Sequence, residues 1–256
     1  GGVNYIVALG TTAETPTLSD QEKQEVLAFI LEKTAGRVPV VCGAGGNDTA
    51  GVIHQLTTWN LEGVAAILSV APYYNKPSQE GIYQHFKAIA SATDKPIILY
   101  NVPGRTSSNI LPETVLRLAN DFKNIIAVKE ASGNMAQCME IVKGKPEGFA
   151  VLSGDDDLVL PQIAIGLEGV ISVAANCYTQ DFTQMVQHAL DNRFPEARAL
   201  HYKLLHGIRL LFAEGNPAGV KSALNKYGIC SSTVRLPLVP ATAGLEDMTQ
   251  AFVNSL

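Results

Sequence analysis

The sequence predicts an α/β fold built on parallel strands, and two observations lead to it. Seven short apolar runs recur along the 256 residues, and segments with helical patterns separate them. Each run is nearly continuous in Val, Ile, Leu and Ala, which is typical of parallel strands covered on both faces. The runs are residues 3–9, 38–42, 65–71, 96–100, 125–129, 149–153 and 169–174. One strand and one helix in every roughly 25 to 30 residues favours a single TIM (β/α)8 barrel.

Two of the helices between these strands have clear signals in the sequence. Ser19 followed by Glu22 is a capping box, which predicts that a helix begins there. A second helix is predicted from about residue 79, because Ile82, Phe86 and Ile89 recur at helical spacing. The first helix has Val26, Leu27, Ile30 and Leu31 at helical spacing, so each helix is expected to turn one apolar face to the core.

A complete barrel of this type needs eight strands, and the sequence shows seven. Residues 1–9 already read as a strand that runs into a loop, so we expect that the first βα unit is absent from this chain. Residues 1–191 are predicted to form the barrel without that unit. Residues 192–256 are predicted to form a C-terminal helical region packed on the barrel, with helices at 195–212, 216–227 and 246–256.

The composition argues against several classes of function. A net charge of -5, a pI near 5.5 and scattered basic residues argue against a nucleic-acid partner. No run approaches the roughly 18 apolar residues that cross a membrane, and the start shows no signal-peptide pattern, so we expect a cytoplasmic protein. The four cysteines are far apart and lack Cys-x-x-Cys spacing, which predicts reduced thiols.

Lys129 is the first candidate for catalysis, because it closes the apolar run 125–128. Burying the stem of a lysine disfavours its charged form, and lysines of this kind attack carbonyl carbons to form Schiff bases. In a parallel barrel the catalytic groups gather at the carboxyl ends of the strands, where this lysine lies. The alternative is a lysine that leaves the sheet and places its amine in water.

Other polar groups follow other strands and would meet Lys129 at the same end of the barrel. Tyr100 can carry a proton, and the hydroxyl groups of Thr11 and Thr12 can extend a relay. Arg105 has the planar guanidinium group that binds carboxylates. Taken singly, the threonines also suit a turn, and the arginine also suits a surface ion pair.

Two further motifs favour structural roles. Residues 43–47, Gly-Ala-Gly-Gly-Asn, follow a strand and precede a helix, but Asp48 stands where a dinucleotide-binding loop has its third glycine. The acidic run 155–157 precedes the apolar segment 158–165, so its carboxylates are expected to cap a helix and match its dipole. Neither motif is therefore expected to bind a nucleotide or a metal ion.

Five stretches of the sequence share their order and spacing with a known family. They are 10–14 (Gly-Thr-Thr-Ala-Glu), 72–77 (Pro-Tyr-Tyr-Asn-Lys-Pro), 100–106 (Tyr-Asn-Val-Pro-Gly-Arg-Thr), 128–133 (Val-Lys-Glu-Ala-Ser-Gly) and 152–156 (Leu-Ser-Gly-Asp-Asp). From residue 1 to about residue 244 the chain resembles the dihydrodipicolinate synthase family of pyruvate-dependent class I aldolases. The resemblance implies a TIM barrel, usually a homotetramer, and no metal or organic cofactor.

The resemblance also implies a reaction and the residues that perform it. A lysine forms a Schiff base with pyruvate, and the resulting enamine attacks L-aspartate 4-semialdehyde to give 4-hydroxy-tetrahydrodipicolinate in lysine and diaminopimelate biosynthesis. By resemblance Lys129 is the nucleophile and Tyr100 the acid and base above it. Thr12 and Tyr74 complete the proton relay, with Tyr74 expected to reach into the active site of a neighbouring subunit.

The same resemblance assigns the binding residues. Thr11 and Thr12 are expected to hold the pyruvate carboxylate, and Arg105 the carboxylate of the semialdehyde. Gly154 and Ile171 are expected to line the pocket. Sister enzymes such as sialic acid lyases typically lack an arginine at the position of Arg105. This residue is therefore expected to distinguish the substrate of the synthases from theirs. Two alternatives stay open: a related pyruvate lyase or aldolase that acts on a sugar acid, and a non-catalytic barrel that binds a keto acid.

The chain departs from the family pattern in two places. Ala13 replaces the usual glycine of the Gly-Thr-Thr-Gly-Glu motif, and we expect activity to be retained because alanine is small. Lysine-inhibited members have a histidine and a glutamate where this chain has Lys23 and Gly51. Losing a carboxylate that pairs the amine of the effector weakens its binding, so lysine feedback is predicted to be weak or absent.

Overall fold

The computed structural model describes residues 1–256 and contains one parallel β-sheet of six strands. The strands pair in chain order, so each lies beside the strand that precedes it in the sequence. They are β1 (Ile6–Ala8), β2 (Val40–Gly43), β3 (Val64–Val70), β4 (Ile97–Asn101), β5 (Ile125–Glu130) and β6 (Ala150–Ser153). The predicted α/β class with parallel strands is confirmed. Six of the seven predicted runs form strands.

Helices alternate with the strands and then continue to the C-terminus. They are α1 (Asp20–Thr34), α2 (Thr49–Thr58), α3 (Gln79–Ser91), α4 (Pro103–Thr106), α5 (Pro112–Asp121), α6 (Met135–Gly144), α7 (Val159–Ala164), α8 (Thr179–Leu190), α9 (Phe194–Phe212), α10 (Ala218–Lys226) and α11 (Ala243–Val253). The capping box of α1 is confirmed: Ser19 Oγ accepts the Glu22 N–H, and the Glu22 carboxylate accepts the Ser19 N–H at 2.8 Å. The apolar face predicted for α3 is confirmed too, because Ile82, Phe86 and Ile89 are fully buried.

The prediction of a seventh strand at 169–174 is wrong. Only Val170 forms a bridge in this segment, with Ser153 of β6. Gly169 has a φ of +153°, a conformation that side chains disfavour. Beyond Val170, the N–H of Ala174 donates to the buried Asp156 carboxylate at 2.8 Å instead of to a strand. The chain then turns through one 3-10 helical turn, which ends the pairing.

Both faces of the sheet are apolar. Successive side chains of a strand point to opposite sides, and nearly all of these side chains are apolar. One face packs against helices, through buried residues such as Leu27 of α1, Phe86 of α3 and Ile141 of α6. The other face carries a smaller apolar cluster that includes Leu68 and Tyr100. Helices therefore cover one face of the sheet, and the candidate catalytic residues lie on the other.

The C-terminal helices share a core with α7 and α8. Phe182 of α8, Leu204 and Leu211 of α9 and Phe252 of α11 are all buried in it. Gly207 allows α11 to approach α9, since a Cβ at that position would overlap the ring of Phe252. None of the helices combines the length and the hydropathy that crossing a bilayer requires.

Candidate active site

Lys129 and Tyr100 face each other at the ends of adjacent strands. The parallel register pairs Tyr100 of β4 with Lys129 of β5. Their side chains point to the same face of the sheet, where the lysine Nζ lies 4.3 Å from the centre of the tyrosine ring. Both residues are buried, with 8% of Lys129 and 7% of Tyr100 exposed. The alternative in which the lysine reaches bulk water is therefore wrong.

The next residue along each strand points to the opposite face and forms a buried polar cluster that sequence reasoning missed. Glu130 is fully buried, and its carboxylate accepts hydrogen bonds from Asn101 Nδ2 at 3.0 and 3.1 Å and from Gln137 Nε2 at 3.0 Å. The backbone N–H of Ser132 also donates to it, at 2.9 Å. A carboxylate so enclosed needs these donors to replace water. The cluster joins β4, β5 and α6 directly behind Tyr100 and Lys129.

Gly154 and Ile171 form the wall beside the lysine. The N–H of Gly154 donates to the Glu130 carbonyl at 2.7 Å, and the N–H of Ile171 donates to the Ser153 carbonyl at 2.9 Å. A Cβ at Gly154 would lie 2.9 Å from Lys129 Cε and 2.5 Å from Ala131 Cβ. Only glycine fits beside the lysine without displacing it.

The segment with Thr11 and Thr12 forms a single 3-10 turn after β1. Ala13 closes this right-handed turn and is exposed, and only the following residue, Glu14, has a left-handed backbone, with φ of 54°. The methyl group of Ala13 therefore imposes no backbone strain on the turn. Thr12 Oγ1 accepts a hydrogen bond from Asn216 Nδ2 at 2.9 Å.

Most of the predicted site residues line one cavity of about 880 Å³. Those that line it are Thr11, Thr12, Tyr100, Arg105, Lys129, Gly154 and Ile171. Arg105, in α4, is exposed at this cavity. Tyr74 does not join them: its side chain is 87% exposed and lies outside the cavity.

A second cavity, of about 520 Å³, adjoins the first. Thr11, Tyr100 and Arg105 line both of them. Lys23 and Gly51, the two positions at which the chain departs from lysine-inhibited relatives, lie in the wall of the second cavity.

The prediction that the acidic run 155–157 caps a helix is wrong. The helix α7 begins after Leu158 without a side-chain cap. Asp155 instead accepts the Gly133 N–H at 3.1 Å, and burial raises the pKa of its carboxyl to about 6. Burial also raises the pKa of Asp156, whose Oδ2 accepts two backbone N–H groups and whose Oδ1 has no partner. These carboxyls are held by loops that only the fold brings near them.

None of the four cysteines is paired with another, and Cys42 and Cys138 are buried. No group of three or more His, Cys, Asp or Glu side chains is arranged to hold a metal ion. A parallel α/β fold with a buried lysine beside a tyrosine at neighbouring strand ends suits an enzyme that forms a Schiff base through its lysine, as lyases of the class I aldolase type do.

Comparison with known proteins places the chain within that class. The model of the Dihydrodipicolinate synthetase family matches residues 1–256, and the chain belongs to this family. A 4-hydroxy-tetrahydrodipicolinate synthase of Flavobacterium psychrophilum is 52% identical over 256 residues, which are 100% of this chain and 87% of that protein.

Solved structures agree with this membership. The crystal structure of dihydrodipicolinate synthase from Aquifex aeolicus has a TM-score of 0.96 at 41% identity, and the match covers 99% of this chain and 87% of that one. A monomeric dihydrodipicolinate synthase variant has a TM-score of 0.96 at 38% identity, and the match covers 99% of this chain and 85% of that one.

Proposed function

We propose that this protein condenses pyruvate with L-aspartate 4-semialdehyde to form 4-hydroxy-tetrahydrodipicolinate, a step of lysine and diaminopimelate biosynthesis. The observation that carries the proposal is the buried Lys129 amine, which lies against Tyr100 in a cavity that Arg105 and Thr11 also line. Relatives that are about half identical over the whole chain and carry the name of this synthase support it.

The first step of the proposed reaction takes place at Lys129. The unprotonated amine attacks the carbonyl carbon of pyruvate, and a proton moves from the nitrogen to the oxygen. The new hydroxyl group then takes up a second proton and leaves as water, which gives the protonated imine. This imine withdraws electrons from the pyruvate methyl group, so loss of one methyl proton gives an enamine. The imine thus supplies the electron sink that a bound cofactor provides in other enzymes.

The enamine carbon then forms a bond with the aldehyde carbon of the second substrate, and the aldehyde oxygen takes up a proton. Attack of the amino group of that substrate on the imine carbon releases the Lys129 amine and closes the ring. Tyr100, whose ring lies against the lysine amine, is proposed to carry the protons of the first step. Thr12 and Tyr74 are proposed to pass them to solvent.

The proposed role of Tyr74 requires a second copy of the chain. Its side chain is 87% exposed, and Tyr73 beside it is 40% exposed. Aromatic side chains that project from a surface commonly anchor interfaces. We therefore propose a homotetramer in which Tyr74 completes the site of a neighbour. Mass measurement under native conditions separates a tetramer from a monomer such as the similar variant.

Two threonine hydroxyl groups and one guanidinium group are proposed to hold the two substrate carboxylates. Thr11 and Thr12 offer hydroxyl groups near the lysine for pyruvate, and the exposed guanidinium group of Arg105 suits the carboxylate of the semialdehyde. Arg105→Ala is expected to raise KM for the semialdehyde, while the amount of pyruvate adduct stays unchanged. A synthase activity indifferent to Arg105 would favour the alternative lyase acting on a sugar acid.

We propose that the consecutive parallel strands belong to a TIM (β/α)8 barrel, that 1–191 is its barrel part and that 192–256 is a helical region packed on it. The four free cysteines are usual for a protein that works in the cytoplasm.

The proposed function is tested by trapping the imine. The protein is incubated with pyruvate, reduced with borohydride and weighed by mass spectrometry. We expect one reduced pyruvate adduct per chain, located by peptide mapping on Lys129. Lys129→Met should abolish the adduct, whereas Lys123→Met, which removes an exposed lysine just before β5, should leave it intact. If the wild-type protein gained no adduct mass, both the synthase and the lyase would be ruled out, and the keto-acid-binding barrel would remain.

A further inference from the structure

Asn216 connects the C-terminal helical region to the candidate site. It lies in the loop between α9 and α10, and only 6% of it is exposed. Its Nδ2 donates to Thr12 Oγ1 at 2.9 Å, across 204 positions of sequence. Its Oδ1 is buried without a hydrogen-bond donor. Both residues line the cavity that contains Lys129.

We propose that Asn216 is a positioning residue, which directs the hydroxyl proton of Thr12 toward the reacting groups. A threonine hydroxyl has one proton to donate and two lone pairs that accept. When the amide N–H occupies one lone pair, the hydroxyl proton must point away from Asn216. Because Thr12 lies at the cavity wall, that proton is free to enter the relay that serves Tyr100. This inference rests on the proposed function.

The C-terminal region also holds the turn that contains Thr12. Glu14, two residues later, accepts a hydrogen bond from Lys221 Nζ at 2.6 Å and from the N–H of Arg235 at 2.7 Å. Burial works to raise the pKa of Glu14, but these two donors outweigh it and hold the pKa below its usual value. The C-terminal region therefore fixes the turn through Glu14 and orients its hydroxyl group through Asn216.

The polarity of the amide makes the inference testable. Asn216→Ala removes the donor and leaves Thr12 free to rotate. Asn216→Asp replaces the donor with a carboxylate, which accepts a hydrogen bond from the Thr12 hydroxyl and so turns that hydroxyl proton away from the cavity. The aspartate variant should therefore be more impaired than the alanine variant, although it is closer to asparagine in shape.

The experiment measures two quantities in the same samples with pyruvate alone. One is the borohydride-trapped adduct on Lys129, and the other is exchange of the pyruvate methyl hydrogens with deuterated water, followed by NMR. Dividing the exchange rate by the amount of adduct corrects for any unfolded fraction, since only folded protein forms the adduct. We expect this ratio to fall about tenfold in Asn216→Ala, the value of one hydrogen bond. It should fall about 100-fold in Asn216→Asp, the loss of a positioned proton carrier.

Asn225 provides the matched control. It lies in α10 of the same region, and its Nδ2 donates to the Cys230 carbonyl at 3.0 Å without touching the turn of Thr12. Asn225→Ala and Asn225→Asp should leave the ratio unchanged. In a Thr12→Val background, Asn216→Asp should have no further effect.

Two results would overturn the inference. One is an Asn216→Asp variant whose ratio equals that of the wild type, which would make Asn216 an acceptor from Thr12. The other is an equal fall in the Asn225 variants, which would indicate a general structural effect. Failure of the proposed imine chemistry has a different signature, because the wild-type protein itself would then show neither adduct nor exchange.

Discussion

Replacing Gly154 with alanine perturbs the position of Lys129 without touching its chemistry. Gly154 follows β6, and its N–H donates to the Glu130 carbonyl at 2.7 Å. An added Cβ would lie 2.9 Å from Lys129 Cε and 2.5 Å from Ala131 Cβ. Carbon atoms in contact prefer a separation of roughly 3.5 Å or more. The lysine stem or the Gly154 backbone must therefore move.

The size of the movement sets the expected effect. The lysine contact is short by about 0.6 Å and the Ala131 contact by about 1 Å, against that roughly 3.5 Å separation. Overpacking of this kind costs ~1–3 kcal/mol of unfolding free energy. Misplacing a reacting group by about 1 Å lowers the rate by about 100-fold. We expect Gly154→Ala to lower the rate of adduct formation with pyruvate 10-fold to 100-fold, which is ~1.4–2.7 kcal/mol in the barrier.

The assay is the rate of borohydride-trapped adduct formation, measured beside the unfolding free energy in urea. Gly104→Ala is the matched control: it lies in α4 at the same end of the sheet, and its added Cβ would meet nothing within 4 Å. The control should keep the wild-type rate. If Gly154→Ala formed the adduct as fast as wild type while remaining folded, the steric role of this glycine would be refuted.

Four further predictions concern Glu130, Asp155, Glu14 and the second cavity. Glu130→Gln places an amide against the amide donors behind the lysine, so unfolding free energy should fall ~1–3 kcal/mol in urea titration; an unchanged value would mean that the donors find other acceptors. Asp155 has a pKa raised by burial to about 6, so its ionisation opposes folding at higher pH. Asp155→Asn should therefore gain up to ~3 kcal/mol of unfolding free energy at pH 7.5 and nothing well below the unfolded-state pKa of about 3.9, where folded and unfolded wild type are both protonated; equal gains in acid and at pH 7.5 would contradict this. Glu14→Gln should show the opposite trend. The pKa of Glu14 is lowered in the folded protein, so its carboxylate stabilises the fold above the unfolded-state pKa, and this stabilisation is lost as the pH falls. We expect the variant to lose up to about 1 kcal/mol of unfolding free energy at pH 7 and nothing in acid. Lysine titrated into the assay should inhibit weakly or not at all, since Lys23 and Gly51 add no carboxylate to the second cavity and the Asp48 carboxylate there already caps α2. Strong inhibition at physiological lysine would disprove this prediction.

Much of the fold and the central pair of the site could be predicted from local patterns. Continuous apolar runs identified six strands, and the strand-end positions of Lys129 and Tyr100 predicted that they meet. The capping box of Ser19 and Glu22 gave the start of α1 correctly, because its two hydrogen bonds lie within four residues. The apolar runs, the strand ends and the capping box can be recognised from neighbours in sequence, and parallel pairing of the strands in chain order then brings Tyr100 beside Lys129.

The errors and omissions share a different cause. The carboxylates of Asp155 and Asp156 suit a helix cap by position, yet they bind N–H groups of segments about twenty residues away. The segment after Gly169 has the composition of a strand, but Asp156 takes the N–H groups that a strand would use. Competition between a local and a distant partner is not visible in a local pattern.

By itself, the sequence determined the α/β class, the parallel strands and the pairing of a strand-end lysine with a strand-end tyrosine, because hydrophobic periodicity and strand ends are local properties. Only the tertiary structure decided what supports that pair: the Glu130 cluster behind it, the close approach of Gly154, and the bond from Asn216 to Thr12. Each of these depends on angstrom-scale distances between segments far apart in the chain. Such distances are set by how the helices and strands pack, and so they exist only once the chain has folded.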